Sequence, residues 1–215
     1  MNAALVPVKR LGEGKSRLLG TLDRDALDAL TLAMLGDVVE ALAEAAPVDR
    51  IAVVTPDDEV AAAARAQGAE PVLILEPGLN HALDTAAPKI TEPDGSLLVV
   101  LGDVAGVASA DIEALYGALA EDEAEACAVL APAADGGTAA LLRSPPDAFP
   151  GRFGADSAAQ HQAAAKRAGV PLRVLELASL RTDLDRPGDL AALLQGDGPA
   201  PRTRALLLSL GIEAS

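Results

Sequence analysis

Three aspartates follow apolar runs that have the length of β-strands, and their placement suits a divalent metal ion. Asp103 comes shortly after the run 96–101, and Asp183 and Asp185 follow the run 171–177. Alternate residues of an extended segment point the same way, so the last two carboxylates can face one site. Because Mg²⁺ takes only one or two protein carboxylates, the sequence predicts a Mg²⁺ site from Asp103 and one member of the pair. Helix capping is the alternative for the pair.

A basic, glycine-containing segment follows the first apolar run. Residues 9–17 contain four of the seventeen Lys and Arg residues of a chain whose formal net charge is −15. Glycine lets backbone amides approach an anion, and basic side chains neutralise its charge, so the segment predicts polyphosphate binding. An ordinary solvated loop is the alternative. The Gly-Lys-Ser at 14–16 does not complete a P-loop, because Lys9 stands where that motif needs its first glycine.

Two further segments offer uncharged donors to an anion. The turn 135–138 contains two glycines and ends at Thr138, whose hydroxyl can bind a phosphate. The segment 153–157 precedes a predicted helix, where Gly154 can offer an amide and Ser157 a hydroxyl at the positive end of the helix. We expect an anionic substrate to lie between these two segments.

Four other polar residues carry weaker signals. Asp156 is expected to act as a helix N-cap if it has no functional role, and Asn80 is either a cap or a ligand at the start of another helix. His81 and His161 have no partner at a spacing typical of a metal or catalytic site. We therefore assign no role to either histidine.

Apolar runs alternate with helical patterns along the chain. The predicted strands are residues 3–8, 50–55, 71–75, 96–101, 126–131, 138–142 and 171–177, and the predicted helices are residues 24–45, 57–67, 79–90, 109–119, 156–168 and 187–194. Most of the strands are continuously apolar, which is typical of strands covered on both faces. We expect an α/β, Rossmann-like fold with a mixed, mostly parallel sheet and helices on both faces. The loop 132–137 is too short for a crossover helix, so the strands that flank it should be antiparallel.

Composition limits the domain organisation and the partners. The 215 residues suit one domain, which we expect at residues 1–195. Residues 196–215 are expected to form a linker and a short helix, predicted at 204–210, that packs on the domain or on a partner. The acidic charge and 1% aromatic content argue against nucleic acid and anionic membranes as partners. No segment approaches the roughly 20 apolar residues of a membrane helix, and Cys127 is expected to be buried. We expect a cytoplasmic protein.

The ordered set of segments resembles the phosphoenolpyruvate/2-phospho-L-lactate guanylyltransferases of deazaflavin coenzyme biosynthesis. The segments that carry the resemblance are residues 6–11, 15–18, 78–80, 102–103, 135–138, 152–157 and 183–185. No single segment is decisive, but the set in this order is specific. One departure is that the family usually has Asp-Leu-Pro where this chain has Asp103-Val104-Ala105. Gly106 follows and is expected to loosen the turn further.

The resemblance implies a single-domain nucleotidyltransferase fold and transfer of GMP from GTP to the phosphate of a small phosphorylated acid, phosphoenolpyruvate or 2-phospho-L-lactate, with release of pyrophosphate. No protein nucleophile is needed, because the substrate phosphate attacks the α-phosphorus in line. The implied roles are nucleotide binding by Lys9, Lys15, Arg17 and Asn80, acid binding by Thr138, Gly154 and Ser157, metal binding by Asp103, Asp183 and Asp185, and catalysis by Asp103, Asp183 and Lys15.

Two other functions stay open on the sequence alone. One is a nucleotidyltransferase for a sugar or polyol phosphate, and the other is a degenerate nucleotide-binding domain without catalytic activity. A homodimer is also compatible with the apolar C-terminal segment.

Overall fold

One seven-stranded sheet runs through the centre of the protein. The computed structural model describes residues 1–122, 124–181, 183–196 and 198–213. The strands are β1 (Asn2–Pro7), β2 (Arg50–Thr55), β3 (Glu70–Leu73), β4 (Ser96–Val100), β5 (Cys127–Pro132), β6 (Thr138–Ser144) and β7 (Leu172–Val174), in the spatial order β3-β2-β1-β4-β6-β5-β7. The sheet is mixed and mostly parallel, as the sequence predicts.

Strand β6 runs antiparallel to both of its neighbours, β4 and β5, whereas the other pairings among the described strands are parallel. The predicted antiparallel pairing of β5 with β6 is therefore confirmed. Since β6 is reversed, its first residue, Thr138, lies at the edge of the sheet where the parallel strands end. This reversal brings a hydroxyl side chain to the edge at which open α/β sheets bind ligands.

Helices cover both faces of the sheet, which confirms the predicted fold class. They are α1 (Arg24–Glu44), α2 (Asp58–Ala66), α3 (Leu79–Ile90), α4 (Ser109–Ala120), α5 (Ser157–Ala168), α6 (Pro187–Gln195) and α7 (Pro201–Ser209). In β1, Ala4 and Val6 pack with the core that contains α1, α2 and α4, whereas Ala3 and Leu5 pack with α3 and α5. Within the described part of the chain, no helix has the length and apolarity needed to cross a membrane.

The two edge strands are shorter than predicted. The apolar runs 71–75 and 171–177 predict longer strands, but β3 ends at Leu73 and β7 ends at Val174. Each of these strands has one neighbour in the sheet, so its length is set by that neighbour's hydrogen bonds as much as by its own apolar residues. Helix α7 begins at Pro201 and so precedes the predicted range 204–210, because proline is well suited to the first turn of a helix.

Helix α7 packs against α1 of the same chain. Leu207 joins Leu30 and Met34 in a buried cluster. The Asp37 side chain, only 4% exposed, accepts hydrogen bonds from the backbone amides of Arg202 at 3.0 Å and Thr203 at 2.8 Å. Asp37 therefore satisfies amides of the first turn of α7 that have no partner within the helix. Residues 197, 214 and 215 of the C-terminal segment lie outside the described residues.

We expect Asp37→Ala to lower the free energy of unfolding by about 3 kcal/mol, because two hydrogen bonds to a charged acceptor are lost and the buried amide of Thr203 is left without a partner. Urea denaturation measures the change. Glu40→Gln is the matched control, since Glu40 contacts Arg202 from the same helix but only at the surface. That substitution should cost less than about 1 kcal/mol. Equal losses in the two variants would show that Asp37 does not anchor α7.

Candidate active site

The predicted site residues converge at the edge of the sheet where the parallel strands end. Lys9 follows β1, Asp103 follows β4, and Asp183 and Asp185 come after β7. A cavity of about 260 Å³ opens there. The predicted residues that line it are Lys9, Thr138, Gly154, Ser157, Asp183 and Asp185.

Asp103, Asp183 and Asp185 form a carboxylate cluster in which one oxygen of each lies within 4.8 Å of the others. The backbone amide of Leu184 donates to the carbonyl oxygen of Asp103, which holds the two segments together. Oδ1 of Asp103 is buried and has no hydrogen-bond partner among the described residues. Hard carboxylate oxygens, one of them unpaired and buried, fit a divalent cation such as Mg²⁺.

Lys15 bridges this cluster. Its Nζ donates to Oδ2 of Asp103 at 2.9 Å and to Oδ1 of Asp185 at 2.7 Å, and its side chain is only 9% exposed. The left-handed backbone of Lys15 (φ 55°) turns the chain into a short 3₁₀ helix, Ser16–Leu18. The loop after β1 thus places a cation among the carboxylates.

The pKa values in the cluster follow from these contacts. Burial raises the pKa of Asp183, and the negative charges of Asp103 and Asp185 raise it further. Burial alone would raise the pKa of Asp185, but the Lys15 hydrogen bond and nearby basic charges outweigh it and lower that pKa. Burial opposes the charge on Lys15, yet Asp103 and Asp185 raise its pKa above the ordinary value. Lys15 and Asp185 therefore form a charged pair at neutral pH.

The helix-capping interpretation of Asp183 and Asp185 is wrong. The first amides near helix α6 donate instead to Asp189, whose Oδ2 accepts from the amides of Asp185 and Arg186. The Asp185 carboxylate faces Lys15. Helix capping therefore does not explain the position of Asp185, and a functional role remains the explanation.

The basic loop offers fewer free amides than its glycines suggest. The amide of Leu11 donates to Asp57, and the amide of Gly12 donates to Asp28. Both acceptors are carboxylates of the same chain, so an anion does not have access to these donors. The amides of residues 14–17 have no protein acceptor within the described chain.

The three basic side chains assigned to the nucleotide lie in different surroundings. Lys9 lines the cavity together with Thr138 and Ser157. Arg17 lies 3.5 Å from Asp185, with its side chain 65% exposed. Lys15 is buried within the cluster. Their proximity to the carboxylates is consistent with a shared phosphate and metal site, and the individual assignments stay predictions.

The Asn80 side chain connects helix α3 to the turn before α5 through two hydrogen bonds. Its Nδ2 donates to the carbonyl oxygen of Phe153, and its Oδ1 accepts from the amide of Phe153. The cap interpretation is wrong, because the N-cap position of α3 is Gly78 and no side chain caps it. The nucleotide-binding role of Asn80 stays a prediction, and in this structure the side chain positions the cavity wall.

The turn before α5 presents the amide of Gly154. Gly154 has φ +137°, a conformation that favours glycine, and its amide has no protein acceptor in the described chain. The amides of Ser157 and Ala158 donate to carbonyl oxygens of the same region. Asp156 occupies the N-cap position in a left-handed conformation, but its side chain accepts no capping hydrogen bond, so the simple cap interpretation is wrong.

His161, to which the sequence assigned no role, lies behind the cavity wall. Its Nδ1 is 2.9 Å from Oγ1 of Thr138, and its Nε2 accepts from the amide of Arg152 at 2.7 Å. Burial and the charges of Arg143 and Arg152 lower the pKa of His161 to about 4, so the ring is neutral at neutral pH. One signal in the sequence points to it: His161 follows Ser157 by four residues, the spacing that puts two side chains on one helix face.

The turn after Asp103 is tight, and the expected loosening at Gly106 is wrong. The amide of Val107 donates to the carbonyl oxygen of Val104 at 3.0 Å and closes the turn. A Cβ on Gly106 would lie 3.2 Å from the carbonyl oxygen of Ser179, so glycine permits a close approach there. Ala105 is fully buried in the cluster beside α6 and α7. The Ala-for-Pro departure therefore leaves Asp103 on a packed turn.

The fold is shared with known nucleotidyl transferases. One such protein, from Methanothermobacter thermautotroptrophicus, superposes with a TM-score of 0.67 at 16% sequence identity and covers 90% of this chain and 95% of its own. The fold, the carboxylate cluster and the neighbouring basic loop define an α/β nucleotidyltransferase. Within that class, the chain belongs to the family described as guanylyl transferase CofC like, whose match spans residues 2–215.

Curated relatives agree with this family. A phosphoenolpyruvate guanylyltransferase from Sphaerobacter thermophilus is 39% identical over 193 residues, which cover 88% of this chain and 91% of the relative. One from Rubrobacter xylanophilus is 41% identical over 203 residues, which cover 94% of this chain and 97% of the relative. The predicted family and enzyme class are confirmed. The chain has a guanylyltransferase role. This finding argues against the alternative of a degenerate domain without catalytic activity.

Proposed function

We propose that the protein transfers GMP from GTP to the phosphate of phosphoenolpyruvate and releases pyrophosphate. A phosphate oxygen of the acid forms the new bond to the α-phosphorus of GTP, and the bond from that phosphorus to the β-phosphate oxygen breaks in line. The observation that carries the proposal is the adjacency of two different subsites. Asp183 and Asp185 of the Lys15-bridged carboxylate cluster line a small cavity that also presents the uncharged donors Thr138, Gly154 and Ser157.

The carboxylates and the basic loop serve the nucleotide side of this reaction. Asp103 and one member of the pair Asp183 and Asp185 would hold Mg²⁺, which when bound neutralises charge on the phosphates and stabilises the leaving pyrophosphate. Lys15 and Arg17 contact the triphosphate and stabilise the negative charge that develops on it. The amides of residues 14–17 add uncharged donors to the same anion.

The cavity serves the acid side. Its volume of about 260 Å³ is below the roughly 300–1,000 Å³ of sites for drug-sized ligands, which favours a three-carbon acid over a sugar phosphate. The uncharged donors Thr138, Gly154 and Ser157 suit an attacking phosphate, because they hold it without a strong ion pair that would reduce its nucleophilicity. Lys9 lines the same cavity and is assigned to the triphosphate. The names of the curated relatives favour phosphoenolpyruvate over 2-phospho-L-lactate. The product would then enter deazaflavin coenzyme biosynthesis, as the resemblance implies.

Pyrophosphate release with GTP, ATP, CTP and UTP tests the nucleotide. With phosphoenolpyruvate and Mg²⁺ present, we expect kcat/KM for GTP to exceed that of each other nucleotide by about a hundredfold. Omission of the acid should stop the release, because the attacking group is then missing. A preference for CTP or UTP with sugar or polyol phosphates as acceptors would overturn the proposal in favour of the other nucleotidyltransferase function.

A further inference from the structure

Three buried polar side chains form a continuous chain of hydrogen bonds behind the acid cavity. Thr138 and Ser157 are each 1% exposed and His161 is fully buried. Oγ of Ser157 donates to Oγ1 of Thr138 at 3.1 Å, and Nδ1 of His161 lies 2.9 Å from the same oxygen. The far side of the imidazole is fixed, since its Nε2 accepts from the backbone amide of Arg152.

The direction of every hydrogen in this chain follows from the one at Arg152. A backbone amide can only donate, so Nε2 of His161 must be the unprotonated nitrogen of a neutral imidazole. The ring hydrogen then lies on Nδ1 and is donated to Thr138. The Thr138 and Ser157 hydroxyls carry two hydrogens in total. One lies in the hydrogen bond between the two oxygens, and the other takes no part in that bond. Because Nδ1 is itself a donor, this last hydrogen cannot point to His161 and is left for a ligand in the cavity.

Burial holds this arrangement in place. The Phe153 ring packs edge-on against the imidazole with its centroid 4.9 Å away, which fixes the plane of the ring. A charged imidazolium would place its Nε2–H donor against the backbone N–H donor of Arg152 and would add positive charge beside Arg143. The neutral ring with hydrogen on Nδ1 is the form that satisfies every neighbour. The opposite tautomer would accept the Thr138 hydrogen and would leave lone pairs facing the cavity.

We propose that His161 is a positioning residue that makes the Thr138–Ser157 hydroxyl pair an obligatory hydrogen donor toward the acid cavity. The subsite therefore selects a ligand oxygen that carries no hydrogen, such as a phosphate or carboxylate oxygen, and discriminates against a hydroxyl group that needs an acceptor there. The identity of the acid rests on the proposed function, whereas the hydrogen-bond direction does not depend on it.

The tautomer can be measured directly by nitrogen-15 NMR of protein labelled at histidine. The chain has two histidines, so His161 is the only histidine that gives signals in the His81→Asn variant. We expect near neutral pH a protonated Nδ1 and an unprotonated Nε2. A protonated Nε2 with a bare Nδ1, or a charged ring, would overturn the proposal. This measurement needs no variant at His161, so it decides the matter even where such a variant does not fold.

Binding of phosphoenolpyruvate, and separately of inorganic phosphate, tests the consequence for the subsite. We expect His161→Leu to weaken both by about ten- to a hundredfold in calorimetric titration, with GTP affinity unchanged. His161→Asn, which places an amide donor near the former Nδ1, should recover most of the loss. The double variant of His161→Leu with Thr138→Val should bind no more weakly than Thr138→Val alone, because His161 acts through Thr138.

Additive losses in the double variant, or equal weakening of GTP binding with no recovery by asparagine, would show that His161 only supports the fold and would overturn the proposal. Failure of the proposed function is a separate result. In that case the wild-type protein would form no product from GTP and phosphoenolpyruvate, while the tautomer and phosphate binding would still follow the hydrogen-bond chain.

Discussion

Replacing Asp103 with asparagine is expected to lower kcat by about a thousandfold while the protein stays folded. A metal ion at developing phosphate charge contributes several kilocalories per mole to transition-state stabilisation, and about 4 kcal/mol corresponds to that factor. Asparagine keeps the size of the side chain but removes its charge, which weakens the contact of Oδ2 with Lys15. The protein should stay folded, because Lys15 keeps its ion pair with Asp185 and Oδ1 of Asp103 has no protein partner within the described chain to lose. Steady-state pyrophosphate release measures kcat, and circular dichroism with thermal unfolding confirms the fold.

Two comparisons sharpen this prediction. Glu121→Gln removes a carboxylate from a surface pair with Arg173, so its turnover should equal that of the wild type. Asp183→Asn and Asp185→Asn should each lower kcat strongly, since both side chains belong to the cluster. Wild-type turnover in Asp103→Asn would show that Asp103 is not a metal ligand. Inactivity of Asp185→Asn with full activity of Asp183→Asn would identify Asp185 as the metal ligand of the pair.

Lys15→Met is expected to lower kcat/KM for GTP by about a hundredfold, the scale found when one charge-stabilising donor is removed from an active site. In the absence of metal it should also destabilise the protein by about 3 kcal/mol. That value is at the lower end for breaking a buried ion pair, because Asp103 and Asp185 are 29% and 34% exposed. Added Mg²⁺ should restore stability to the variant more than to the wild type, because the cation replaces the lost positive charge.

Lys9→Met provides the control for stability. Lys9 lies in the same loop but forms no ion pair in the part of the chain that the structure describes, so the change should cost less than about 0.5 kcal/mol. Thermal unfolding of both variants with and without Mg²⁺ makes the comparison. If the two variants lose equal stability, or if Mg²⁺ stabilises Lys15→Met no more than the wild type, Lys15 does not neutralise the carboxylates.

Much of the fold can be predicted from local patterns in the sequence. Helix α1 was predicted at 24–45 and is found at Arg24–Glu44, because its apolar residues recur at helical spacing and Asp23 caps its first turn. Strand β4 is buried at every residue, and its run is apolar from Leu97 onward. The ends of β3 and β7 were not predictable in this way. They depend on how far one neighbouring strand continues to pair.

The carboxylate cluster was predictable because one topological rule brings strand ends together. The rule places Asp103 and the 183–185 segment at the same edge but says nothing of which cation lies between them. The Lys15 contact depends on a left-handed residue in an irregular loop, and such conformations are weakly encoded for a lysine. His161 was missed for a related reason. Its role depends on the amide of Arg152 and a hydroxyl on β6, and neither is visible from spacing within α5.

Phosphorus-31 NMR of a mixture of GTP, phosphoenolpyruvate, Mg²⁺ and the protein tests the proposed reaction most directly. We expect a pyrophosphate signal and the two coupled signals of a new diphosphate linkage to increase together, and neither to form when the acid is omitted. Asp103→Asn should suppress both at equal protein concentration. Release of orthophosphate alone, or of pyrophosphate without a new diphosphate linkage, would contradict transfer of GMP to the phosphate of the acid.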